Sequence, residues 1–347
     1  MNGSRTRIEV VAPNLKRRLS GVTATIARLV PLQARSIAIV ATGPGLPADV
    51  PHLPLWRVAL LDRGPRVWHA RRNTEMLMGL ALTRLLGKRW KLVFTSASQR
   101  RHSRYTRWLI RSMDKVIATS RKTAQYLERP AIVIRHGIDV ETFRPAPSRA
   151  AVRACLGLPR DGALIGCYGR IRAQKGTDLF VDAMIAALPD LPGARALVMG
   201  RATGPHQSFL ADLRARATAA GLAGRILFLP EAPVHEMAQW YQALDLFIAP
   251  QRWEGFGLTP LEAMACGVPV IASDAGAFSE LVSSGMTGVI VPPNDAGGIT
   301  RAAREILGDP PRRDLWAAAA RAHVIDKFRI EDEAAAINRV YRSLLTA

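Results

Sequence analysis

Cysteine is scarce in this chain. Three are found among 347 residues: Cys155, Cys167 and Cys266. The number is odd and no two are spaced as in a zinc or redox motif. That excludes a disulfide-stapled secreted scaffold and predicts buried free thiols in a reducing compartment. Long apolar runs are missing as well. No stretch reaches the roughly 18 uncharged apolar residues that a membrane-spanning helix needs. The start, MNGSRTRIEVVAPNLKRR, has no continuous apolar segment before Lys16 that reads as a secretory signal. A cytoplasmic protein is expected. No internal repeat or low-complexity segment occurs. There is no Gly-Lys-Ser/Thr ending of a Walker loop. No Asp-x-Asp stands where it could bridge a metal to a diphosphate; Asp332 is flanked only by Glu331 and Glu333 in the tail.

Negative charge is short, but only in one half. The net charge is +20; residues 1–150 hold 28 Lys and Arg against 8 Asp and Glu, and residues 151–347 hold 20 against 20. The whole imbalance therefore lies in the first half. A surface of that sign attracts polyanions such as nucleic acid, anionic lipid headgroups or a phosphorylated glycolipid. The bland alternative, a generally Arg-rich composition, would colour both halves.

What is present is a sequence 48% hydrophobic and long enough for two domains. Strand-like runs alternate with helical ones: 8–13, 36–43, 66–70, 91–97, 115–120 and 131–137, then 163–170, 194–200 and four more in RILFLPE, DLFIAPQ, VPVIASD and TGVIVPP. Such alternation predicts an α/β fold of two doubly wound, Rossmann-like domains facing a cleft. The proline-bearing stretch 140–162 reads as the crossover. The expected domains are 1–145 and 146–325, with a terminal helix over 326–347 packing back towards the first.

Two stretches carry chemistry. Tyr168-Gly169-Arg170-Ile171-Arg172-Ala173-Gln174-Lys175-Gly176 lies between a strand and a helix. Arg170 can fork onto phosphate oxygens, Lys175 adds a point charge, and the following helix N-terminus adds partial positive charge, a set that suits a diphosphate. A solvated basic loop is the alternative. In QRWEGFGLTPLEAMACGVPV (251–270), Glu254 precedes a Gly-Phe-Gly turn whose backbone N–H groups can face an oxygen-rich ligand. Thr259, Pro260 and Glu262 predict a capping box, in which the Glu262 carboxylate takes the Thr259 N–H.

Glu254-x7-Glu262 within EGFGLTPLEAMACGVPVIAS resembles the signature of the family 4 retaining glycosyltransferases of GT-B fold. GRIRAQKG, IRHGIDVETFRP, FLPEAPVHEMAQWYQALDLFIAP and SDAGAFSELVSSGMTGVIVPPND resemble its other blocks, with His136 where Asn is usual, so that the likeness spans nearly the whole chain. The resemblance implies that Arg170 and Lys175 hold the donor diphosphate, together with Gly21 in the loop Ser20-Gly21-Val22. It implies that Glu254 and the Gly255-Phe256-Gly257-Leu258 backbone hold the donor sugar, and that Glu262 holds the ribose. A second His of the family's His-x-His is replaced here by Arg71, so His69 or Arg71 is expected to reach the sugar; a His merely packed at a strand end is the alternative.

PNLKRRLSGVTATI, VWHARRNTEM and FTSASQRRHSRYTRWLI resemble a narrower group, the bacterial mannosyltransferases of the lipopolysaccharide core. That likeness implies GDP-mannose as donor, no metal, an anionic glycolipid acceptor and peripheral attachment to the inner face of the cytoplasmic membrane. QRRHSRYTRWLIR (99–111) places aromatics among basic residues on a predicted helix, as an interfacial anchor would. A UDP-sugar donor is the nearer alternative. A non-catalytic polyanion- or nucleic-acid-binding protein is the more distant one; no nucleic-acid module is recognised, and no nucleic-acid partner is expected.

Overall fold

The computed structural model describes residues 7–17 and 21–346. The chain forms two compact units. The first takes residues up to Gly137 and again from Ile330; the second runs from Ile138 to Arg329.

In the first unit, β1 (Val10–Pro13), β2 (Ile39–Thr42), β3 (Arg66–Ala70), β4 (Trp90–Ser96), β5 (Lys115–Ala118) and β6 (Ile132–Val133) form one sheet in the order β2-β1-β3-β4-β5-β6. Every pairing is parallel. The inner strands are near-continuous apolar runs because helices cover both faces. On one face Ile26, Leu29 and Val30 of helix Gly21–Gln33 meet Ile337, Tyr341 and Leu344 of helix Ile330–Leu345. Helices Leu55–Leu60, Asn73–Arg84 and Arg104–Arg111 cover the other, burying Val58, Met76, Leu80 and Leu109 against Trp68 and Phe94. The strand expected over 131–137 is only two residues long and exposed, as befits a sheet edge.

The second unit repeats the plan with β7 (Leu164–Tyr168), β8 (Arg195–Met199), β9 (Ile226–Leu229), β10 (Leu246–Ala249), β11 (Val270–Ser273) and β12 (Gly288–Val291), again all parallel, in the order β12-β11-β10-β7-β8-β9. The chain winds outward from β7 through β8 and β9, then returns to β10 beside β7 and winds the other way. A crevice therefore opens at the carboxyl ends of β7 and β10, where ligands of such sheets bind.

The boundaries differ from those expected at 145 and 325. Arg321 gives hydrogen bonds to the carbonyls of Val140, Phe143 and Ala265 at 2.9, 2.7 and 2.9 Å, which fastens residues 138–145 to the second unit. Glu333 accepts the Gly137 N–H at 2.7 Å and lies 2.7 Å from His136 Nδ1, which fastens 136–137 to the first. The terminal helix begins at Ile330, because helix Pro310–Lys327 ends at Phe328. The stretch 140–162 contains helix Arg149–Cys155, whose buried Arg153 bonds to Asp245 and to the carbonyls of Ala243 and Gly162. Cys167 and Cys266 are buried as expected, but Cys155 is exposed on that short helix; all three are free.

Candidate active site

The loop after β7 is built for close approach. Gly169 and Gly176 both have positive φ, +134° and +69°, and a Cβ on Gly176 would stand 1.9 Å from the Pro250 carbonyl oxygen. That distance brings the loop after β10 against the loop after β7. Between the glycines, Ala173–Lys175 form one 3₁₀ turn leading into helix Thr177–Ala187. Arg170 is exposed and makes no hydrogen bond or ion pair among the described residues.

The loop after β10 meets this turn through charge. Lys175 Nζ and Glu254 Oε2 form a half-buried ion pair. The other Glu254 oxygen accepts the Gly255 N–H at 3.0 Å. Gly276 makes room for it, since a Cβ there would lie 2.9 Å from Glu254 Cβ. Gly257, at φ +85°, leaves space for the Phe278 ring, and Phe256 is buried. Arg252 also reaches across: its guanidinium forks onto both oxygens of Asp178 at 2.7 and 2.8 Å. Burial raises the Asp178 carboxyl, but the Arg252 hydrogen bonds and charge outweigh it and hold the group below its ordinary value.

Glu262 departs from expectation. Helix Thr259–Ala265 has Leu258 at its N-cap and no side-chain cap. Glu262 Oε2 instead accepts the Tyr241 hydroxyl at 2.7 Å. The capping box fails because a buried phenol needs an acceptor more than an accessible helix N–H does. Burial, and then the Glu262 charge, push the Tyr241 phenol well above its usual range, so it stays a donor. Glu262 itself is half-buried. Burial likewise pushes the Cys167 thiol up to about 12, leaving it inert beside the loop.

In the first unit His69, expected to reach the sugar, is held inside the fold. The ring is fully buried, with Nδ1 2.6 Å from the Tyr341 hydroxyl and Nε2 2.6 Å from Thr95 Oγ1. Both nitrogens are occupied by a tie between β3, β4 and the terminal helix. Burial, with the Arg71 charge, holds its pKa well below the usual value, so the ring is neutral. Arg71 is 9% exposed, donates to the His69 carbonyl at 3.4 Å, and leaves Nη2 without a partner among the described residues. Gly21 opens helix Gly21–Gln33 and is exposed, with nothing near its Cβ position; Ser20 lies outside the described residues.

The structure thus joins Lys175, Glu254 and the start of the turn 255–258 at the carboxyl ends of β7 and β10, with Arg170 on the same loop as Lys175 and Glu262 on the helix that follows the turn. Sequence reasoning missed Arg252 and Tyr241. The Arg stood unremarked in the quoted stretch, and the Tyr had only its apolar helix as a signal. Among the described residues, no three His, Cys, Asp or Glu side chains gather where they could hold one metal ion, and no helix is long and apolar enough to cross a membrane.

The family model for glycosyl transferases group 1 matches residues 148–323. The chain is 52% identical over 346 residues to the lipopolysaccharide core biosynthesis mannosyltransferase LpsB of Rhizobium meliloti, covering 97% of this chain and 98% of that one. It is 51% identical over 345 residues to LpcC of Rhizobium leguminosarum bv. viciae, described in the same words, covering 97% of each. Among solved structures, a glycosyltransferase from Rickettsia africae aligns with a TM-score of 0.84 at 18% identity over 98% of this chain and 99% of that one. Anabaena HepE in complex with UDP and glucose aligns with a TM-score of 0.82 at 20% identity over 97% of this chain and 100% of that one. The two sheets with interspersed helices match these neighbours, and the fold is the two-unit α/β fold of GT-B glycosyltransferases. The chain belongs to the group 1 glycosyl transferases.

Proposed function

We propose that the protein transfers mannose from GDP-mannose, with retention at the anomeric carbon, onto an anionic glycolipid of the lipopolysaccharide core type. The Lys175–Glu254 pair carries the reading. It sets a cation for phosphate oxygens beside a carboxylate for sugar hydroxyls at the carboxyl ends of adjacent strands. The near-full-length identity to two core mannosyltransferases supports mannose and that acceptor class.

As the glycosidic bond breaks, negative charge grows on the leaving diphosphate. Arg170, which has no partner among the described residues, and Lys175 face that charge, helped by the N-terminus of helix Thr177–Ala187. Glu254 and the turn Gly255-Phe256-Gly257-Leu258 hold the sugar, and Glu262, steadied by Tyr241, holds the ribose hydroxyls. The acceptor proton passes to the leaving phosphate, so no metal is required.

The membrane reading rests on the first unit. Trp56, Tyr105 and Trp108 are 61%, 47% and 45% exposed, and they stand on the same three-helix face. On helix Arg104–Arg111 the Tyr105 and Trp108 rings stack at 6.2 Å among arginines, while Leu109 and Ile110 face the core. With the excess positive charge in residues 1–150, this face suits the anionic cytoplasmic leaflet.

A thermal-shift screen of nucleotide sugars tests the donor, because a ligand that binds the fold raises its melting temperature. GDP-mannose should give the largest rise. A UDP-sugar giving the larger rise would replace it.

A further inference from the structure

We propose that Arg252 is a positioning residue that holds the phosphate loop and the sugar loop in register while the Lys175–Glu254 pair is given up to the donor. The proposal rests on the reading of Lys175 and Glu254 as donor ligands.

Arg252 spans three loops at one sheet edge. Its Nη1 and Nη2 take both oxygens of Asp178, the second residue of helix Thr177–Ala187. Nη1 also donates to the Ala173 carbonyl at 2.5 Å, inside the turn that ends at Lys175. Nε donates to Asn294 Oδ1 at 2.7 Å, on the loop after β12. The Arg252 backbone N–H adds a bond to the Gln174 carbonyl at 3.1 Å. Bidentate guanidinium–carboxylate pairing fixes direction as well as distance, which a lysine cannot do.

Its place in sequence gives these bonds their consequence. Ala173 and Gln174 immediately precede Lys175, and Arg252 stands two residues before Glu254. Side-chain ties between the two loops are therefore of two kinds. The Lys175–Glu254 pair has donor ligands at both ends. In the empty site each neutralises the other; with donor bound, the ammonium turns to phosphate and the carboxylate to sugar hydroxyls, and the tie is lost when register matters most. The Arg252–Asp178 fork uses no donor ligand and persists. Small misplacements of binding groups are costly to turnover, so such a clamp should be visible in kinetics.

The test uses the full-length chain as wild type and as Arg252→Ala, Arg252→Lys, Asp178→Asn and the Arg252→Ala/Asp178→Asn double variant. Steady-state transfer, calorimetric titration with GDP-mannose and with GMP, and melting temperature are measured for each. Arg252→Ala should raise donor KM about tenfold and lower kcat about tenfold. GMP, which lacks the part of the donor that bridges the two loops, should bind within about twofold of wild type. Arg252→Lys should recover part of the loss. The double variant should be no worse than Arg252→Ala, because the two side chains act through one contact. Unchanged KM and kcat with a lower melting temperature, equal losses for GMP and GDP-mannose, or additive losses would each overturn the clamp. If Arg252→Ala does not fold, Arg252→Lys and Asp178→Asn carry the same comparison. Lys175→Ala separates the two ideas: if it binds donor normally, the site reading fails; if it loses donor while Arg252→Ala does not, only the clamp fails.

Discussion

The two units are variations on one plan and differ in what they do with it. Counted from its first strand, the second unit has the strand order 3-2-1-4-5-6 and the first has 2-1-3-4-5-6, the two common orders of doubly wound sheets. Each reverses direction beside its first strand, so each has a crevice at the carboxyl ends of its central strands. In the second unit that crevice holds glycines at positive φ, an exposed arginine, and a Lys–Glu pair. In the first it holds a closed polar network: Asn14 Oδ1 accepts from Thr23 at 3.1 Å and from Arg72 at 2.9 Å, and Arg72 pairs with the buried Glu75 at 2.8 Å. One crevice leaves Arg170 exposed beside a Lys175–Glu254 pair; the other ties Asn14, Thr23, Arg72 and Glu75 to one another. The same topology fixes where a site can form, and the loops decide whether one does.

Five outcomes would sharpen or break that contrast. The largest should come from the second crevice. Lys175→Ala and Glu254→Ala should each lower transfer by about 10²-fold or more, as loss of a preorganised charge does, with the circular dichroism spectrum unchanged. Comparable losses from His69→Gln would erase the contrast. That substitution should instead cost stability, about 1–3 kcal/mol from a broken buried hydrogen-bond tie, with kcat of the folded protein within about threefold of wild type.

The third outcome is a pH dependence with a definite sign. His69 is neutral in the fold, its pKa held well below 6.5 by burial and by Arg71, whereas in the unfolded chain it takes a proton near that value. The unfolded state gains the proton as pH falls, so stability is full above about pH 7 and declines below about 6.5, by up to about 1.4 kcal/mol per pH unit. Urea unfolding from about pH 7.5 down to about 5.5 should show the decline in wild type and a shallower one in His69→Gln. Parallel curves would remove His69 as the cause.

Smaller effects are expected elsewhere. Tyr241→Phe should raise donor KM about three- to tenfold with little change in kcat, because it removes one hydrogen bond to Glu262 and keeps the carboxylate. Tyr105→Ser with Trp108→Ser should weaken binding to phosphatidylglycerol vesicles a few-fold and leave catalysis on a soluble acceptor unchanged, with added salt weakening what remains. Equal wild-type binding to neutral vesicles would remove the membrane reading.

Much of the second unit was legible because its chemistry is local. The proposed diphosphate loop needs glycine and cations within one turn, and the span from Gly169 to Gly176 brings them together in eight residues. Strand order was not legible, since alternation predicts a parallel sheet but not which strands neighbour. Nor were long-range partners. His69 was proposed from a family resemblance, and its tie to Tyr341, 272 residues away, could not be foreseen. Glu262 looked like a helix cap because Tyr241 comes from another helix. The domain boundary was misplaced by eight residues for the same reason: Arg321, not the local prolines, decides which unit owns 138–145. In each case a partner distant in sequence decided the contact.

The account stands on the crevice of β7 and β10 being the donor site. Calorimetric titration of GDP-mannose into wild type, Lys175→Ala and Glu254→Ala tests this most directly. Saturable binding by wild type, weakened about tenfold or more in both variants, is predicted. Variants that bind GDP-mannose as tightly as wild type does would contradict it.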